Sequence, residues 1–172
     1  MANTHQLRIL NHGVQVWNQW RKDHPDTHPD LSCAELGCVD LREVDLAGAD
    51  LSGAHLRRAN LARASFDRAD LHNACLVEAD LHRVNFSNGN LDGADLRSTN
   101  LHSADFFHAV LHNANLTAAD INRAVLYLAD LRGAQLGFTY GLTQAQIEIA
   151  VGDLKTELPD GVYRPKKWKA TT

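Results

Sequence analysis

Hydrophobic residues recur at every fifth position through the central part of the chain. From Leu31 to Leu136 there are 22 such positions, occupied by 18 leucines together with Phe66, Phe86, Phe106 and Ile121. Two residues before each of these, from Leu36 onward, the side chain is small, and 16 of the 21 positions are alanine. The residue between the small and the large position is Asp, Asn or Glu at 16 of 22 positions. Periodicity of this strictness predicts a repeat architecture built from the unit Ala-Asp/Asn-Leu-x-x.

A period of five residues fits neither regular element of secondary structure. Along a helix, five residues turn through about 140°, so the leucines would be scattered over every face. Along a straight strand, the alanine and the leucine would share one face, but the next alanine would point to the other. Both face inward only when the backbone bends once in each pentapeptide, and the chain then coils around its own axis. The pattern therefore predicts a solenoid.

The repeated unit is similar to that of the pentapeptide repeat family. The run ADLSGAHLRRANLARASFDRADLHNA carries the resemblance, which extends over roughly residues 30–136. It implies a right-handed quadrilateral β-helix in which four pentapeptides form the four sides of each coil. Leu, Phe and Ala would lie inside, with the Asp/Asn position and the two variable positions outside. We therefore expect an all-β solenoid of about five coils, with α-helical caps at both ends because open coils expose strand edges.

The segments on either side of the repeats have the patterns of capping helices. Near the N-terminus, apolar residues follow helical spacing and two prolines mark the exit: Leu7, Leu10, Val14 and Trp17, extended by Trp20, then Pro25 and Pro29. After the repeats, Thr143 and Gln146 have capping-box spacing, and the apolar stripe that follows comprises Ile147, Ala150 and Leu154. We predict an N-terminal helical cap over 1–29, the β-helix over 30–140, a C-terminal helical cap over 141–158 and a basic extended tail over 159–172.

The composition suits one cytoplasmic domain. The chain has 17 Lys or Arg and 21 Asp or Glu, a formal net charge of −4, which argues against a strongly basic nucleic-acid binder. It has no apolar run long enough for a membrane span, and its first residues lack the apolar core of a signal peptide. The cysteines are odd in number and are expected as free thiols: Cys33, Cys38 and Cys75.

Residues 20 apart are expected to lie above one another, which places candidate chemistry in columns. His55, Cys75 and Asp95 form one column with the residue types of a nucleophilic triad. A nucleophile also needs a pocket and an oxyanion site, which a flat outer wall does not offer, so we assign no catalytic residue and predict no enzyme. His82 and His102 share another column. A zinc site ordinarily needs four Cys or His ligands, so neither a metal nor a cofactor is predicted.

Charged and amide residues also fall into columns. One column alternates acid and amide, and we interpret it as a solvated ladder that limits self-repulsion: Asp40, Asn60, Asp80, Asn100 and Asp120. Opposite charges should meet across coils where Glu43 lies below Arg63 and Arg58 below Glu78. Exposed pairs of this kind contribute little to stability.

One outer surface near the end of the repeats departs from the polar pattern. Phe107 should stack on Tyr127, and valines replace the usual Asp or Asn nearby. We call this surface the apolar patch and define it by five residues: Phe107, Val110, Val125, Tyr127 and Leu128. Such a patch on a polar protein marks a contact. Either the C-terminal cap or the tail carrying Trp168 covers it, or it binds a protein partner or a second copy of the chain.

Two functions compete on the sequence. The first is a rigid scaffold for protein–protein interaction with an unknown partner, including a homodimer, because a solenoid without a pocket offers extended walls. The second is implied by the resemblance, since some members of the family imitate duplex DNA, bind DNA gyrase and protect it from quinolones or peptide toxins. Between Asp30 and Leu136 there are 15 acidic residues and nine arginines, a smaller net charge than full imitation of DNA requires. Direct binding of nucleic acid or of a membrane is not expected.

Overall fold

The computed structural model describes residues 1–168, which form a coiled central body with helices at both ends. Helix α1 spans Thr4–Asn11, α2 spans Val14–Asp23 and α3 spans Gln144–Ile149. In this part of the chain no helix has the length and apolar character needed to cross a membrane. Between α2 and α3, parallel β-bridges join residues 20 apart in four columns, which start at Asp30, Glu35, Asp40 and Asp45. Each coil therefore has four sides, and the central body is a β-helix solenoid.

We name the four sides of the solenoid walls A to D in chain order. Wall A begins with residues 34–38, wall B with 39–43, wall C with 44–48 and wall D with 49–53, and each continues in steps of 20 residues. Residues 29–33 form the first segment of wall D. Walls C and D therefore adjoin along the whole solenoid, and so do walls A and B.

The all-β expectation needs correction, because within residues 1–168 the β structure consists of isolated bridges and no continuous strand. Each pentapeptide contributes one bridging residue before the chain turns a corner. The corner residue, two positions after the core Leu or Phe, has a positive φ. At 18 corners this residue is not glycine, with φ between 53° and 62°, and none of the 18 is β-branched. The left-handed corner breaks each strand and admits at low cost only side chains that are not branched at Cβ.

The periodic hydrophobic residues fill the solenoid interior. All 22 large side chains of the repeats are at most 2% exposed. On wall C the rings of Phe66, Phe86 and Phe106 stack with centroids 5.1 and 5.3 Å apart. Of the small positions, Val39 at the start of wall B is 37% exposed, whereas the alanines are buried. Burial thus confirms the inward orientation predicted for the core residues.

The Asp/Asn position holds the corners together. In all 15 repeats where it is Asp or Asn, the side-chain oxygen accepts a hydrogen bond of 2.9–3.3 Å from the backbone N–H two residues later. Asn100 Nδ2 also donates to Asp80 Oδ1 of the coil below at 2.9 Å. The alternating column predicted as a solvated ladder therefore also makes the local turns that the fold needs.

The N-terminal segment forms two helices where its spacing predicts one. Gly13, with a φ of 108°, separates α1 from α2, because this backbone angle is incompatible with a continuous helix. On α2, Trp17 is fully buried and its Nε1 donates to the carbonyl of Asp45 at 2.7 Å. The buried Arg21 donates to the carbonyl of Ala47 at 2.6 Å. Helix α2 therefore lies against the first segment of wall C.

Helix α3 interrupts the five-residue period at the other end. It begins with the capping box that the sequence predicts between Thr143 and Gln146. The helix lasts six residues, and the chain then rejoins the solenoid through a bridge at Val151. The prediction for Leu154 is wrong: it lies beyond the helix and is 55% exposed, since the helical spacing ends at Ile149.

The segment that follows α3 runs back along it. Gln144 and Tyr163 exchange two hydrogen bonds, with Tyr163 N donating to Oε1 at 2.9 Å and Gln144 Nε2 donating to the Tyr163 carbonyl at 3.0 Å. Trp168 is 5% exposed, and its Nε1 donates to the carbonyl of Ala150 at 3.3 Å. Residues 169–172 of the predicted tail lie outside the described residues.

Candidate interaction surface

The apolar patch lies on the last two full coils of the solenoid. Phe107 and Tyr127 are stacked on wall C, with ring centroids 5.9 Å apart and planes inclined by 13°. These two residues, Val125 and Leu128 are 38–48% exposed, whereas Val110 on the adjoining wall D is half-buried. A 20-residue coil thus brings onto one surface the side chains that the sequence places 20 apart.

Two apolar side chains outside the predicted set extend this surface towards the C-terminus. The N–H of Leu128 donates to the carbonyl of Ile149 at 3.0 Å, so Ile149 follows Tyr127 in the next coil. Val151 bridges to Asp130 on wall D. Ile149 is 42% and Val151 39% exposed. The sequence period points to positions 147 and 150 instead, because the insertion of α3 shifts the register by two residues at Ile149 and by one at Val151.

The tail does not cover the apolar patch within residues 1–168. The Trp168 ring lies against Gly152, where an added Cβ would come within 2.6 Å of it. Phe107 remains 38% and Tyr127 48% exposed. Within the described residues, the segment that carries Trp168 therefore leaves Phe107 and Tyr127 exposed, and cover by the C-terminal cap or tail and contact with a partner or a second copy stay alternatives.

The excess acid of the solenoid is confined to two adjoining walls. Wall A carries three acidic residues and three arginines, and wall B carries four of each. Wall C carries three acidic residues and one arginine, and wall D carries five and one. The whole net charge of −6 between residues 30 and 136 thus lies on walls C and D, the two walls that share the apolar patch.

The two arginines of the acidic walls are already beside carboxylates. Arg68 Nε lies 3.8 Å from Asp67 Oδ2, and Arg132 Nη2 lies 2.6 Å from Asp130 Oδ2. Burial raises the pKa of Asp130, but hydrogen bonds from Arg132 and His112 outweigh it and hold the pKa below its ordinary value. Among the described residues, Asp50, Asp70 and Asp105 have no lysine or arginine within 4.0 Å. Walls A and B also carry both predicted cross-coil pairs, Arg63 with Glu43 and Arg58 with Glu78.

The candidate nucleophile column exists but is not assembled as a triad. Parallel bridges link His55 to Cys75 and Cys75 to Asp95. The imidazole of His55 instead contacts Glu35, with Nδ1 2.9 Å from the carboxylate. Asp95 is bound by the Arg97 guanidinium at 2.8 and 2.6 Å, and these hydrogen bonds lower the pKa of its carboxyl. The candidate base His55 and the candidate acid Asp95 are therefore each bound to a residue other than Cys75.

The predicted histidine column is also present. His82 and His102 stack with centroids 5.5 Å apart and planes inclined by 20°. The next residue of the column, Asn122, donates its amide to Asp120. Residues 1–168 contain no group of three or more His, Cys, Asp or Glu placed to hold a metal ion. The three cysteines are free.

Four walls, left-handed corners and a core of one large and one small residue per pentapeptide define a β-helix repeat protein, and the apolar patch lies on its acidic side. Two family models match this part of the chain: pentapeptide repeats, in eight copies over residues 40–76, and the pentapeptide repeat region over residues 59–136. The chain belongs to the pentapeptide repeat family, and its solenoid is a right-handed β-helix. No curated protein matches it.

Several solved structures are similar to the chain. A pentapeptide repeat protein from the thylakoid lumen of Arabidopsis thaliana is 31% identical over 52% of this chain and 66% of that one, with a TM-score of 0.47. HetL, involved in heterocyst differentiation regulation in Nostoc sp. strain PCC 7120, is 30% identical over 73% of this chain and 65% of that one, with a TM-score of 0.33. QnrB1, a plasmid-mediated fluoroquinolone resistance protein, is 16% identical over 80% of this chain and 88% of that one, with a TM-score of 0.39. The chain spans slightly less than two thirds of the first two.

Proposed function

We propose that the chain is a non-enzymatic scaffold that binds a protein partner through the apolar patch. The observation that carries this proposal is the exposed stack of Phe107 on Tyr127 on an otherwise polar wall. Apolar surface left in water forgoes about 25 cal/mol per Å² of burial, and aromatic side chains are enriched at the centres of protein interfaces. Contact with a partner recovers this free energy.

The rest of the outer surface favours a scaffold function and not a catalytic one. The residue types suited to chemistry are engaged in local contacts, as His55 is with Glu35 and Asp95 with Arg97. The wall around the patch is held rigid by buried core side chains on one side and by corner hydrogen bonds on the other. A rigid wall binds with little loss of conformational entropy.

Site-specific photocrosslinking tests this proposal. A photoreactive amino acid replaces Tyr127 in one sample and the half-buried, outward Val77 of wall A in the matched control. We expect a crosslinked protein of one defined mass from Tyr127 in an extract of the source cells, and none from Val77. Equal crosslinking at both positions, or none at Tyr127, would contradict the proposal.

A second candidate function is modulation of DNA gyrase or topoisomerase through imitation of DNA. The confinement of the net charge of −6 to walls C and D favours it, since duplex DNA presents a continuous acidic surface. A gyrase supercoiling titration, with and without a quinolone, tests it, and inhibition or protection at micromolar concentration is the supporting result.

A matched pair of variants makes the gyrase titration specific. Asp50→Asn with Asp70→Asn removes two charges from wall D and keeps both corner hydrogen bonds, because an amide oxygen also accepts. Asp80→Asn with Asp120→Asn does the same on wall B. DNA imitation by walls C and D predicts a loss of effect for the first pair only. No effect of the parent chain at soluble concentrations rules this function out.

A further inference from the structure

We infer that the apolar patch takes a partner segment whose apolar side chains are flanked by lysine or arginine. This inference rests on the proposed scaffold function and names the chemistry of the partner. Three observations carry it: the length of the patch, the uncompensated carboxylates beside it, and the distribution of charge between the two pairs of walls.

The apolar side chains form a row along the solenoid axis. Phe107, Tyr127 and Ile149 follow one another in successive coils. At about 4.8 Å per coil, the row is about 10 Å long, which matches two turns of a helix at a pitch of about 5.4 Å. A partner helix with apolar residues on one face would therefore place successive turns on successive aromatic or aliphatic side chains.

Carboxylates lie on both sides of this row, with Asp105 on the wall B side of Phe107 and Asp92 on wall D. Asp105 Oδ1 accepts the N–H of Phe107 at 2.9 Å, which fixes the carboxylate beside the ring, and no described lysine or arginine lies within 4.0 Å of it. On wall D, Asp92 contacts His72 at 3.8 Å and the amide of Asn113 at 3.2 Å. These carboxylates lack a permanent cation. A partner with lysine or arginine beside its apolar side chains would supply these carboxylates with a cation.

A second copy of the chain fits this surface less well than a basic partner. Contact between two identical patches would bring together two pairs of acidic walls, each with a net charge of −6. Charges within about 10 Å of one another are only partly screened at ordinary ionic strength, so this contact is repulsive. The chain's own basic segment lies at the Ile149 end of the row, where Lys167 donates to the carbonyl of Glu148 and Trp168 to that of Ala150, and it leaves Phe107 exposed.

Fluorescence anisotropy with two synthetic amphipathic peptides tests the inference. The peptides share their leucine positions, and one carries lysine and the other glutamate at the polar positions. The full chain is compared with Phe107→Ser/Tyr127→Ser, with Asp105→Asn, which keeps the corner hydrogen bond, and with the wall A control Val77→Ser. Circular dichroism establishes that each variant is folded, and sedimentation gives its mass.

We expect the lysine peptide to bind the parent chain and the glutamate peptide not to bind. Binding of the lysine peptide should fall about tenfold or more in Phe107→Ser/Tyr127→Ser. It should fall about threefold in Asp105→Asn and at high salt, and stay unchanged in Val77→Ser. Because the crosslinking at Tyr127 does not depend on charge, a crosslinked partner together with failed peptide binding would overturn the partner chemistry and leave the scaffold function standing.

Other outcomes also overturn the inference. Equal binding of the lysine peptide to the parent and to Phe107→Ser/Tyr127→Ser would show attraction by bulk charge alone. Equal binding of the two peptides would show an apolar site without charge selection, and binding of neither would remove the site. A parent dimer that becomes a monomer in Phe107→Ser/Tyr127→Ser would show that a second copy occupies the patch.

Discussion

The two ends of the solenoid differ in how their helices pack. At the N-terminal end, α2 places the fully buried Trp17 against the first coil. At the C-terminal end, α3 is six residues long, and Phe138 and Tyr140 remain 80% and 64% exposed. Of the 13 exposed large apolar side chains in residues 1–168, ten lie at or after Phe107. Large apolar side chains are therefore buried under the helix at the first end and exposed in greater number at the second.

The largest effect is expected from Trp17→Ala. Removing this buried side chain leaves a cavity beneath α2 and should lower the free energy of unfolding by about 3–5 kcal/mol. Urea unfolding followed by circular dichroism measures it. Phe138→Ala is the matched change at the other end, and because this side chain is 80% exposed, the expected change is within about 0.5 kcal/mol. Similar losses for both variants would show that the ends are closed alike.

A smaller effect is expected from Trp168→Ala. The ring packs on Gly152 and is 5% exposed, but we expect the segment that carries it to detach without unfolding the solenoid, because it follows the last bridge at Glu157. We expect a loss of about 1–3 kcal/mol and faster proteolysis after residue 158, measured by unfolding and by mass spectrometry of the fragments. Tyr163→Ala, at a 75% exposed position, is the control. A loss as large as that of Trp17→Ala would make the C-terminal segment an equal structural cap.

Gln146 allows a finer test of α3. Its side chain completes the capping box with Thr143, and its Nε2 donates to the carbonyl of Ala124 at 2.8 Å. Gln146→Ala should cost about 1 kcal/mol and raise hydrogen exchange in α3. Gln146→Glu keeps the acceptor of the capping box and loses the donor to Ala124, so it separates the two contacts. Unchanged exchange in both variants would mean that α3 is held by Ile147 alone.

The smallest effect concerns acid stability, and a corner carboxyl of lowered pKa at each end allows a matched test. At the N-terminal end, the Ser32 hydroxyl lowers the pKa of Asp30, and at the C-terminal end Arg132 and His112 lower that of Asp130 against the effect of burial. A depressed pKa in the folded state gives stability that is present above the ordinary value of 3.8 and lost as pH falls through the lower folded value.

The matched variants are Asp30→Asn and Asp130→Asn, which keep the corner hydrogen bonds. Each should flatten the decline of unfolding free energy below about pH 4. Chemical denaturation in steps between pH 5 and pH 2 measures this slope. A slope that neither substitution changes would assign acid unfolding to other carboxyls.

The core could be predicted from the sequence because each inward position admits one size of side chain. Phe66, Phe86 and Phe106 fall 20 residues apart and stack as that spacing requires. The two ends were harder to predict, since each contains a local break in a regular pattern. Gly13 divides the N-terminal helix, and the insertion of α3 places Ile149 after Tyr127. Gly13 leaves the hydrophobic spacing of the N-terminal segment unchanged, and the end of the five-residue period at Leu136 does not show where the chain rejoins the solenoid after α3.

The role of the Asp/Asn position was available in the sequence but was missed. Charge and screening explain why acids alternate with amides, but not why only one repeat uses glutamate. The structure shows that the side-chain oxygen must reach the N–H two residues later, which Asp and Asn do. Glu35, one methylene longer, instead pairs with His55 at 2.9 Å. Side-chain length at this position was the overlooked signal.

The left-handed corners set how the outer surface can diversify. Eighteen of them carry side chains as different as Arg, Glu, Ser, His, Leu and Phe on nearly the same backbone angle, and none carries Val, Ile or Thr. A corner can therefore exchange charge, size or aromaticity by single mutations while the coil beneath it is unchanged. Corners of successive coils are about 4.8 Å apart, so the solenoid presents outer side chains at a fixed spacing whatever their identity. Evolution can therefore change which molecules the walls bind while the core residues and the backbone of the coils stay the same.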